Sequence, residues 1–267
     1  MVEATIDVID RGGLECDLNY LIEGNTLGSH DEPNPDTDYI EIPVFNLVID
    51  HPEGTILWDT GNHEDALDGH WPEGLKQAFY PHDVREHDLR DDLGDAGYDI
   101  DDIDYVFQTH LHLDHAGGLH HFDGTDTPVF VHEEELKFAY YSTKTDEGSG
   151  AYILGDFDHD LNWQVIHKDR ETHFEDVEFV HLPGHTPGLT GTVVHLENDG
   201  TVAFAGDEIY QTENYENGTP LGAGLLWSHR HWFDSLQKLK EIERKHDAEV
   251  VYGHDPDQYE TIQGGWS

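Results

Sequence analysis

The sequence predicts a single α/β domain spanning residues 1–267, and three observations support this prediction. The chain has 267 residues, and no linker rich in Ser, Gly and Pro divides it. Apolar segments of strand length recur along the whole chain. Segments with helical spacing lie between them, of which the clearest covers residues 230–246.

Strands are predicted from apolar runs bounded by turn residues. They cover residues 3–9, 39–50, 55–58, 103–107, 128–132, 163–167, 177–181, 189–196, 201–205 and 250–253. Helices are predicted where apolar residues repeat at helical spacing, over 83–97, 133–141 and 230–246. A turn at 51–54 joins two of the strands into a hairpin that leads to Asp59.

Two long segments are predicted to be loops. Residues 62–82 show little periodicity and contain Trp71 and Phe79. We interpret this segment as a loop that lines a substrate pocket, in preference to a loop that only packs against the surface. Residues 142–160 are rich in Gly and Asp, which favours a second loop.

The chain is strongly acidic. It has 13 basic and 58 acidic residues, a formal net charge of -45. Such like charge destabilises a compact protein in ordinary salt, whereas at about 1 M salt the Debye length falls to about 3 Å and the repulsion is screened. Because the acidic residues are spread along the whole chain, the composition indicates a protein from a salt-rich cytoplasm, that of a halophile. A nucleic-acid partner is not expected, since phosphate binding needs clustered Lys and Arg.

The start of the chain and its single cysteine also favour a location in the cytoplasm. No long apolar segment and no basic start followed by an apolar run is present, so we expect neither a signal peptide nor a membrane span. Cys16 is the only cysteine, so it has no partner for an internal disulfide, and we expect it to have no chemical role.

The segment 109–118, Thr-His-Leu-His-Leu-Asp-His-Ala-Gly-Gly, contains four potential metal ligands directly after a predicted strand. In extended backbone His110 and His112 point to the same side. A bend near Leu113 would splay Asp114 and His115 apart, so one ion could not easily take all four groups. The motif therefore predicts two adjacent ions, and imidazole with carboxylate suits zinc, manganese or iron.

Three further candidates follow predicted strands. His185 lies in the rigid turn Leu-Pro-Gly-His-Thr-Pro-Gly, Asp207 follows strand 201–205, and His254 follows 250–253. With 22 histidines in the chain, some neighbouring pairs arise by chance. We interpret the remaining clusters as surface groups, at 120–121, 158–160 and 229–231.

The complete set resembles the metallo-β-lactamase superfamily, whose pattern His-x-His-x-Asp-His followed by His, Asp and His is met along nearly the whole chain. The resemblance implies a four-layer αββα sandwich with the metals at one edge. It implies one ion held by His110, His112 and His185, and the other by Asp114, His115 and His254, with Asp207 bridging. It also makes Asp59 a buried group that orients a ligand.

A narrower resemblance is to the N-acyl-homoserine lactonases of this superfamily. They carry Asp-x-x-Tyr where this chain has Asp207 to Tyr210, and they end in a similar Gly-His-Asp with a glutamine soon after, here Gln258. Two departures bear on acyl-chain preference. Leu113 stands where those lactonases carry a bulkier phenylalanine, and Glu208 replaces a small residue.

This resemblance implies a hydrolase that uses two divalent ions, zinc or alternatively manganese or iron. A hydroxide bridging the ions would attack the carbonyl of a small neutral lactone or ester. We expect Tyr210 to donate a hydrogen bond to the substrate oxygen, and Asp114 to pass a proton to the leaving alkoxide.

Alternative functions remain open at this stage. A thioesterase or phosphodiesterase of the same superfamily is the second choice, although anionic substrates normally require Arg or Lys at the pocket and this chain has few. Superfamily oxidoreductases usually carry Glu at the position of His112, which disfavours a redox function. A catalytically inactive, His-rich metal-binding protein is the third interpretation. The oligomeric state does not follow from the sequence.

Overall fold

The predicted α/β fold is confirmed as a four-layer αββα arrangement in a computed structural model that describes residues 1–145, 147–222 and 224–267. Two β-sheets pack face to face, and helices cover their outer faces.

Among the described residues, twelve strands are numbered in chain order. They are β1 (Thr5–Asp17), β2 (Tyr39–His51), β3 (Gly54–Trp58), β4 (Phe79–His82), β5 (Tyr105–Phe107), β6 (Pro128–His132), β7 (Asn162–Ile166), β8 (Arg170–Phe174), β9 (Val177–His181), β10 (Thr190–His195), β11 (Thr201–Phe204) and β12 (Glu249–Val251). The α-helices in the described ranges are α1 (Leu18–Leu21), α2 (Glu73–Ala78), α3 (Leu89–Ala96), α4 (Glu133–Thr145), α5 (Leu154–Phe157), α6 (Thr212–Asn217), α7 (His229–His246) and α8 (Pro256–Ile262). Short 3₁₀ turns cover Ala66–Asp68, Val84–Glu86, Ile100–Asp102, Leu119–Phe122 and Gly206–Glu208.

The larger sheet has the strand order β4-β1-β2-β3-β5-β6-β7. Its first four strands in that order pair antiparallel, whereas β3, β5, β6 and β7 run parallel. The smaller sheet has the order β12-β11-β10-β9-β8, antiparallel except for the parallel pair β11 and β12.

Alternation of side chains along β2 shows how the layers are built. Leu47 and Ile49 point into the core between the two sheets, and Val48 between them points to the outer face, which α3 and α4 cover. On the other side of the molecule, Trp232 and Leu236 of α7 pack on the outer face of the smaller sheet, in the stripe that its helical periodicity predicts.

Several predicted boundaries differ from the structure. β1 continues to Asp17 past the predicted end at residue 9, because a bulge between Asp10 and Gly13 bends the strand without ending it. The predicted helix 83–97 is a 3₁₀ turn followed by α3, since the Asp88 side chain accepts the Arg90 N–H and starts a new helix there.

The two predicted loops contain regular structure. Segment 62–82 includes α2 and the edge strand β4, so it is not the loop that the missing periodicity indicated. Within 142–160, α4 extends to Thr145 and α5 covers four residues, while position 146 lies outside the described residues. The sequence also gave no signal for β8.

Two further features concern membranes and Cys16. In the ranges that the structure describes, no helix has the length and apolar character needed to cross a bilayer. Cys16 is fully buried and free, and burial raises the pKa of its thiol to about 12, in keeping with the expectation that it has no chemical role.

Candidate metal centre

The seven predicted ligands come together at one edge of the sandwich, each just past the end of a strand. The parallel strand β5 ends at Phe107, and the chain then turns so that the N–H groups of His115 and Ala116 both donate to the carbonyl of His112. This turn presents the four ligands of the 110–115 motif to the loops after β9, β11 and β12. All seven side chains are buried: His110, His112, Asp114, His115, His185, Asp207 and His254.

The ligand atoms form two clusters. One consists of His110, His112 and His185, and the other of Asp114, His115, Asp207 and His254. Within each cluster the candidate ligand atoms lie within 4.8 Å of one another. These groups match the two ligand sets that the family resemblance implied, and their roles as ligands remain a proposal.

Asp207 lies between the clusters and turns one oxygen to each. Its Oδ2 is 3.6 Å from His110 Nε2 and 3.5 Å from His185 Nε2. Its Oδ1 is 3.1 Å from both His115 Nε2 and His254 Nε2. A carboxylate in this position can bridge two ions.

Hydrogen bonds on the far side of the rings orient four of the five histidines. In each, Nδ1 contacts an oxygen and Nε2 is left facing the centre. The oxygens are Thr109 Oγ1 for His110 (3.0 Å), Asp59 Oδ2 for His115 (2.8 Å), the Leu225 carbonyl for His185 (2.7 Å) and the Pro43 carbonyl for His254 (2.7 Å). The His112 ring has the opposite orientation. Its Nε2 lies 3.3 Å from Ser149 Oγ, and its Nδ1 faces the centre. Such partners fix the tautomer that a metal requires.

Asp59 orients His115, as the family resemblance implied. Besides His115 it accepts hydrogen bonds from the backbone N–H and the hydroxyl of Thr109, each at 2.8 Å. Its φ of 57° is in the left-handed region, an uncommon conformation for a non-glycine residue. One fully buried carboxylate therefore positions both His115 and the start of the ligand motif.

Two buried carboxylates that support the centre were not predicted. Glu135, in the first turn of α4, accepts hydrogen bonds from the Leu111 N–H, the Tyr152 hydroxyl and the Thr186 hydroxyl. It therefore joins the motif loop to the loop of His185. An inward stripe on α4, in which Glu135, Ala139 and Ser142 follow helical spacing, is the signal that would have revealed it.

Glu208, noted in the sequence only as a departure from the lactonases, is the second. Its Oε2 accepts the backbone N–H of His185 at 3.0 Å, and its side chain is fully buried. Burial raises the pKa of Glu208 well above its usual value. The Glu208 side chain, which is larger than the residue of the lactonases at this position, therefore supports the loop that carries His185. It does not line the substrate pocket.

The electrostatics of the centre fit two cations. Burial lowers the pKa of His110 and His112 well below the usual value, so both rings are neutral and have lone pairs to share. Burial opposes the charge of Asp207, but the neighbouring histidines outweigh it and hold the pKa of Asp207 well below its usual value. Among the described residues, the buried His110 Nε2 has no hydrogen-bond partner, and its nearest carboxylate oxygen, Asp207 Oδ2, lies 3.6 Å away. Orphaned imidazole nitrogens beside carboxylates are the donor set that zinc and similar ions bind.

A small, mainly apolar pocket opens beside the centre. It is lined by Leu14, Phe79, His112, Leu113, Asp114, Ala151, Tyr210 and Leu225. Phe79 comes from the 62–82 segment, in agreement with the pocket interpretation of that segment, whereas Trp71 is buried in the core. The Tyr210 hydroxyl donates to Asp207 Oδ2 at 2.7 Å, so it lies directly between the pocket and the ligand clusters.

The fold is that of a known superfamily. A sequence profile of the metallo-beta-lactamase superfamily matches residues 40–254, a range that includes all seven candidate ligands, and the chain belongs to this superfamily.

Within it, the chain is similar to lactonases over nearly its whole length. The N-acyl homoserine lactonase AttM of Rhizobium radiobacter is 31% identical over 272 residues, which cover 98% of this chain and 97% of that protein. A mutant of AiiA from B. thuringiensis, with N-decanoyl-L-homoserine bound at its active site, superposes with a TM-score of 0.83 at 25% identity, covering 98% of this chain and 96% of that one. The same values hold for an N-acyl homoserine lactone hydrolase whose product, N-hexanoyl-L-homoserine, is bound at the catalytic metal centre.

Proposed function

We propose that this protein is a dinuclear metal-dependent hydrolase that opens the ring of N-acyl homoserine lactones, a quorum-quenching activity. The observation that carries the proposal is the position of Asp207, whose two oxygens face two separate clusters of buried ligands. The similarity to N-acyl homoserine lactonases over 98% of the chain supports the choice of substrate.

Under this proposal His110, His112 and His185 hold one ion, and Asp114, His115 and His254 hold the other, with Asp207 shared. When bound, two divalent ions would polarise the lactone carbonyl and supply hydroxide near neutral pH. Zinc suits this mixture of imidazole and carboxylate, and manganese and iron are accommodated by the same donors.

Tyr210 is proposed as the residue that positions the substrate oxygen. Its hydroxyl borders the pocket and already donates to Asp207 Oδ2 at 2.7 Å, so a modest rotation would let it donate to a carbonyl placed beside the clusters. Directed donors of this kind stabilise charge that develops on oxygen during acyl transfer.

Asp114 is proposed to move the proton. Its Oδ2 lies 3.6 Å from His115 Nε2 and 3.7 Å from His254 Nε2, and its side chain also lines the pocket. A carboxylate that faces both the ligands and the substrate can receive a proton on one side and deliver it to the leaving alkoxide on the other.

The pocket favours a neutral substrate with an apolar arm. Its described lining includes no Lys or Arg, which an anionic thioester or phosphodiester would need for pairing. Leu113, Phe79 and Leu225 offer apolar surface to an acyl chain instead. Because Leu113 is smaller than phenylalanine, we propose a pocket less narrowed at that point than in the lactonases it resembles.

We further propose that the protein works in the salt-rich cytoplasm of a halophile. The support is the net charge of -45, which requires screening for a compact state to be stable.

The test is lactone hydrolysis in about 2 M KCl, a concentration at which surface charge is screened. Short- and long-chain acyl homoserine lactones are compared, with metal content measured on the same samples. Turnover that falls in Tyr210→Phe with two ions retained, and that disappears together with the ions in Asp207→Ala, is the expected result. Two bound ions without hydrolysis of any lactone would overturn the substrate assignment and direct the search to thioesters and phosphodiesters.

A further inference from the structure

A second group of metal-ligating side chains lies outside the proposed dinuclear centre. It consists of His63, Glu64 and His120, whose candidate ligand atoms lie within 4.8 Å of one another. Glu64 Oε2 is 3.6 Å from His63 Nδ1, and Glu64 Oε1 is 3.3 Å from His120 Nε2. Residues 120–121 were predicted to be surface groups, but both are half-buried and His120 faces this cluster.

In the neutral rings, the histidine nitrogens that face Glu64 are the ones that carry the lone pairs. His63 Nδ1 accepts the backbone N–H of Asp65 at 3.0 Å, so in the neutral ring the proton is on Nε2. His120 Nδ1 contacts the Gly117 carbonyl at 3.0 Å and must donate to it, so the lone pair is on Nε2. A cation between them would share two imidazole nitrogens and a carboxylate, a donor set that zinc binds.

The surroundings hold the His63 ring and the two loops in place. The His63 ring stacks on His70 at 3.7 Å between ring centroids, and His70 is hydrogen-bonded to the fully buried carboxylate of Asp156. The second oxygen of that carboxylate, Oδ2, is buried and has no hydrogen-bond partner among the residues that the structure describes. The loops themselves are tied together, because the Gly117 N–H donates to the Gly61 carbonyl at 2.9 Å.

We propose that His63, Glu64 and His120 form a third metal site, for a zinc-class divalent ion. His63 would bind through the Nδ1 lone pair that now accepts the Asp65 N–H, and His120 through Nε2 with the Gly117 carbonyl behind it. The side chains are 13%, 33% and 26% exposed in that order, so an ion can enter from solvent and a water can complete four-coordination. Two imidazoles select zinc and its neighbours over magnesium and calcium.

The site would have a structural role separate from the proposed chemistry. Glu64 follows Asp59 by five positions, and His120 follows His115 by five. An ion held here would clamp the loop after β3 to the loop after β5, next to the residues that orient the dinuclear centre.

The experiment counts zinc per chain. Protein already loaded with two tightly bound ions is dialysed against buffered free Zn²⁺ in molar KCl, which competes with weak binding to the acidic surface. Wild-type protein should bind a third equivalent. The isosteric Glu64→Gln and the truncation His120→Ala should weaken this third equivalent by more than about tenfold and keep the first two ions. Lactone turnover should be unchanged in both.

The matched control is His167→Ala, which removes an exposed histidine that is likewise paired with a glutamate, Glu133. It should keep all three equivalents. Cobalt gives an independent readout, since the visible absorption of the third equivalent should be lost in Glu64→Gln. Saturation of the wild-type protein at two equivalents would overturn the proposal, as would a third equivalent that survives in Glu64→Gln. If His120→Ala does not fold, Glu64→Gln decides alone.

Discussion

Replacing Glu135 by Gln tests whether this buried carboxylate holds the two halves of the first ligand cluster together. Glu135 is fully buried and accepts from the Leu111 N–H at 3.0 Å, the Tyr152 hydroxyl at 2.7 Å and the Thr186 hydroxyl at 2.6 Å. Leu111 separates His110 from His112, and Thr186 follows His185. The carboxylate thus connects the backbone on both sides of the cluster.

The magnitude follows from these three contacts. In the Gln variant the amide oxygen can still accept from Leu111 and Tyr152, but the amide nitrogen faces Thr186, whose hydroxyl must reverse. Three charge-assisted hydrogen bonds become neutral ones, which lowers the free energy of unfolding by about 1 kcal/mol each. Because the variant no longer buries a charge, part of this loss is offset. We expect a net loss of about 1–2 kcal/mol in the free energy of unfolding, equivalent to roughly 2–8 °C in Tm.

The effect on metal binding should be uneven. Loss of a group that orients metal ligands typically weakens metal affinity by about 10- to 100-fold. Here the ion of His110, His112 and His185 should be weakened, and the ion of the other cluster should be affected less. Chelator competition resolves the two dissociation steps, and calorimetry gives Tm.

Glu134→Gln is the matched control, because it changes the adjacent glutamate of the same helix, whose side chain is half exposed. It should leave Tm and both affinities unchanged. Wild-type Tm and affinities in Glu135→Gln would refute the reasoning, and an equal loss at both clusters would refute the assignment of Glu135 to the first.

Three other outcomes are expected. Removal of metal by a chelator should lower Tm, because buried imidazole nitrogens such as His110 Nε2 then lack any partner. Added zinc should restore the original Tm. An unchanged Tm after chelation would contradict the dinuclear site. Raising KCl from about 0.1 M to about 2 M should raise Tm, since screening removes repulsion among the charges, and a Tm that falls with salt would count against the high-salt proposal. The hydrogen bond from His87 to Asp92 raises the pKa of His87. Protonated His87 therefore stabilises the fold below about pH 6.5, and this contribution is lost as pH rises through the raised pKa. His87→Ala should therefore lower the free energy of unfolding by up to about 1 kcal/mol at pH 6 and by less at pH 9. A cost that does not vary with pH would exclude the ion pair as its source.

The ligands of the proposed centre were predictable because each lies in a local pattern. His110 to His115 fall in one short motif, and Asp207 and His254 each follow an apolar strand whose end marks the site edge. Spacing and strand ends are properties of the linear chain, so no tertiary information was needed to find them. The role of Asp59, in contrast, followed only from the resemblance to the superfamily, which carries a buried Asp at the end of this hairpin.

Groups that act through tertiary contacts were not predicted. Glu135 stands in a run of three glutamates within a chain of 58 acidic residues, and only its helical spacing to Ala139 and Ser142 distinguishes it from the two glutamates before it. The cluster around Glu64 likewise depends on two loops meeting across the Gly61 and Gly117 contact. The edge strand β4 was missed because Pro81 interrupts it, which is tolerated only at an edge.

The connectivity of the two clusters has a consequence for how the protein assembles. His110, His112, Asp114 and His115 are delivered by the larger sheet, while His185, Asp207 and His254 are delivered by the smaller one. Under the proposed assignment, neither half of the chain alone carries a complete ligand set for either ion. Complete binding of either proposed ion would therefore require both sheets to be docked, and each bound ion would hold the two sheets together. Fragments divided between β7 and β8 should reassociate only when zinc is supplied, which would make the cofactor a reporter of the last step of folding.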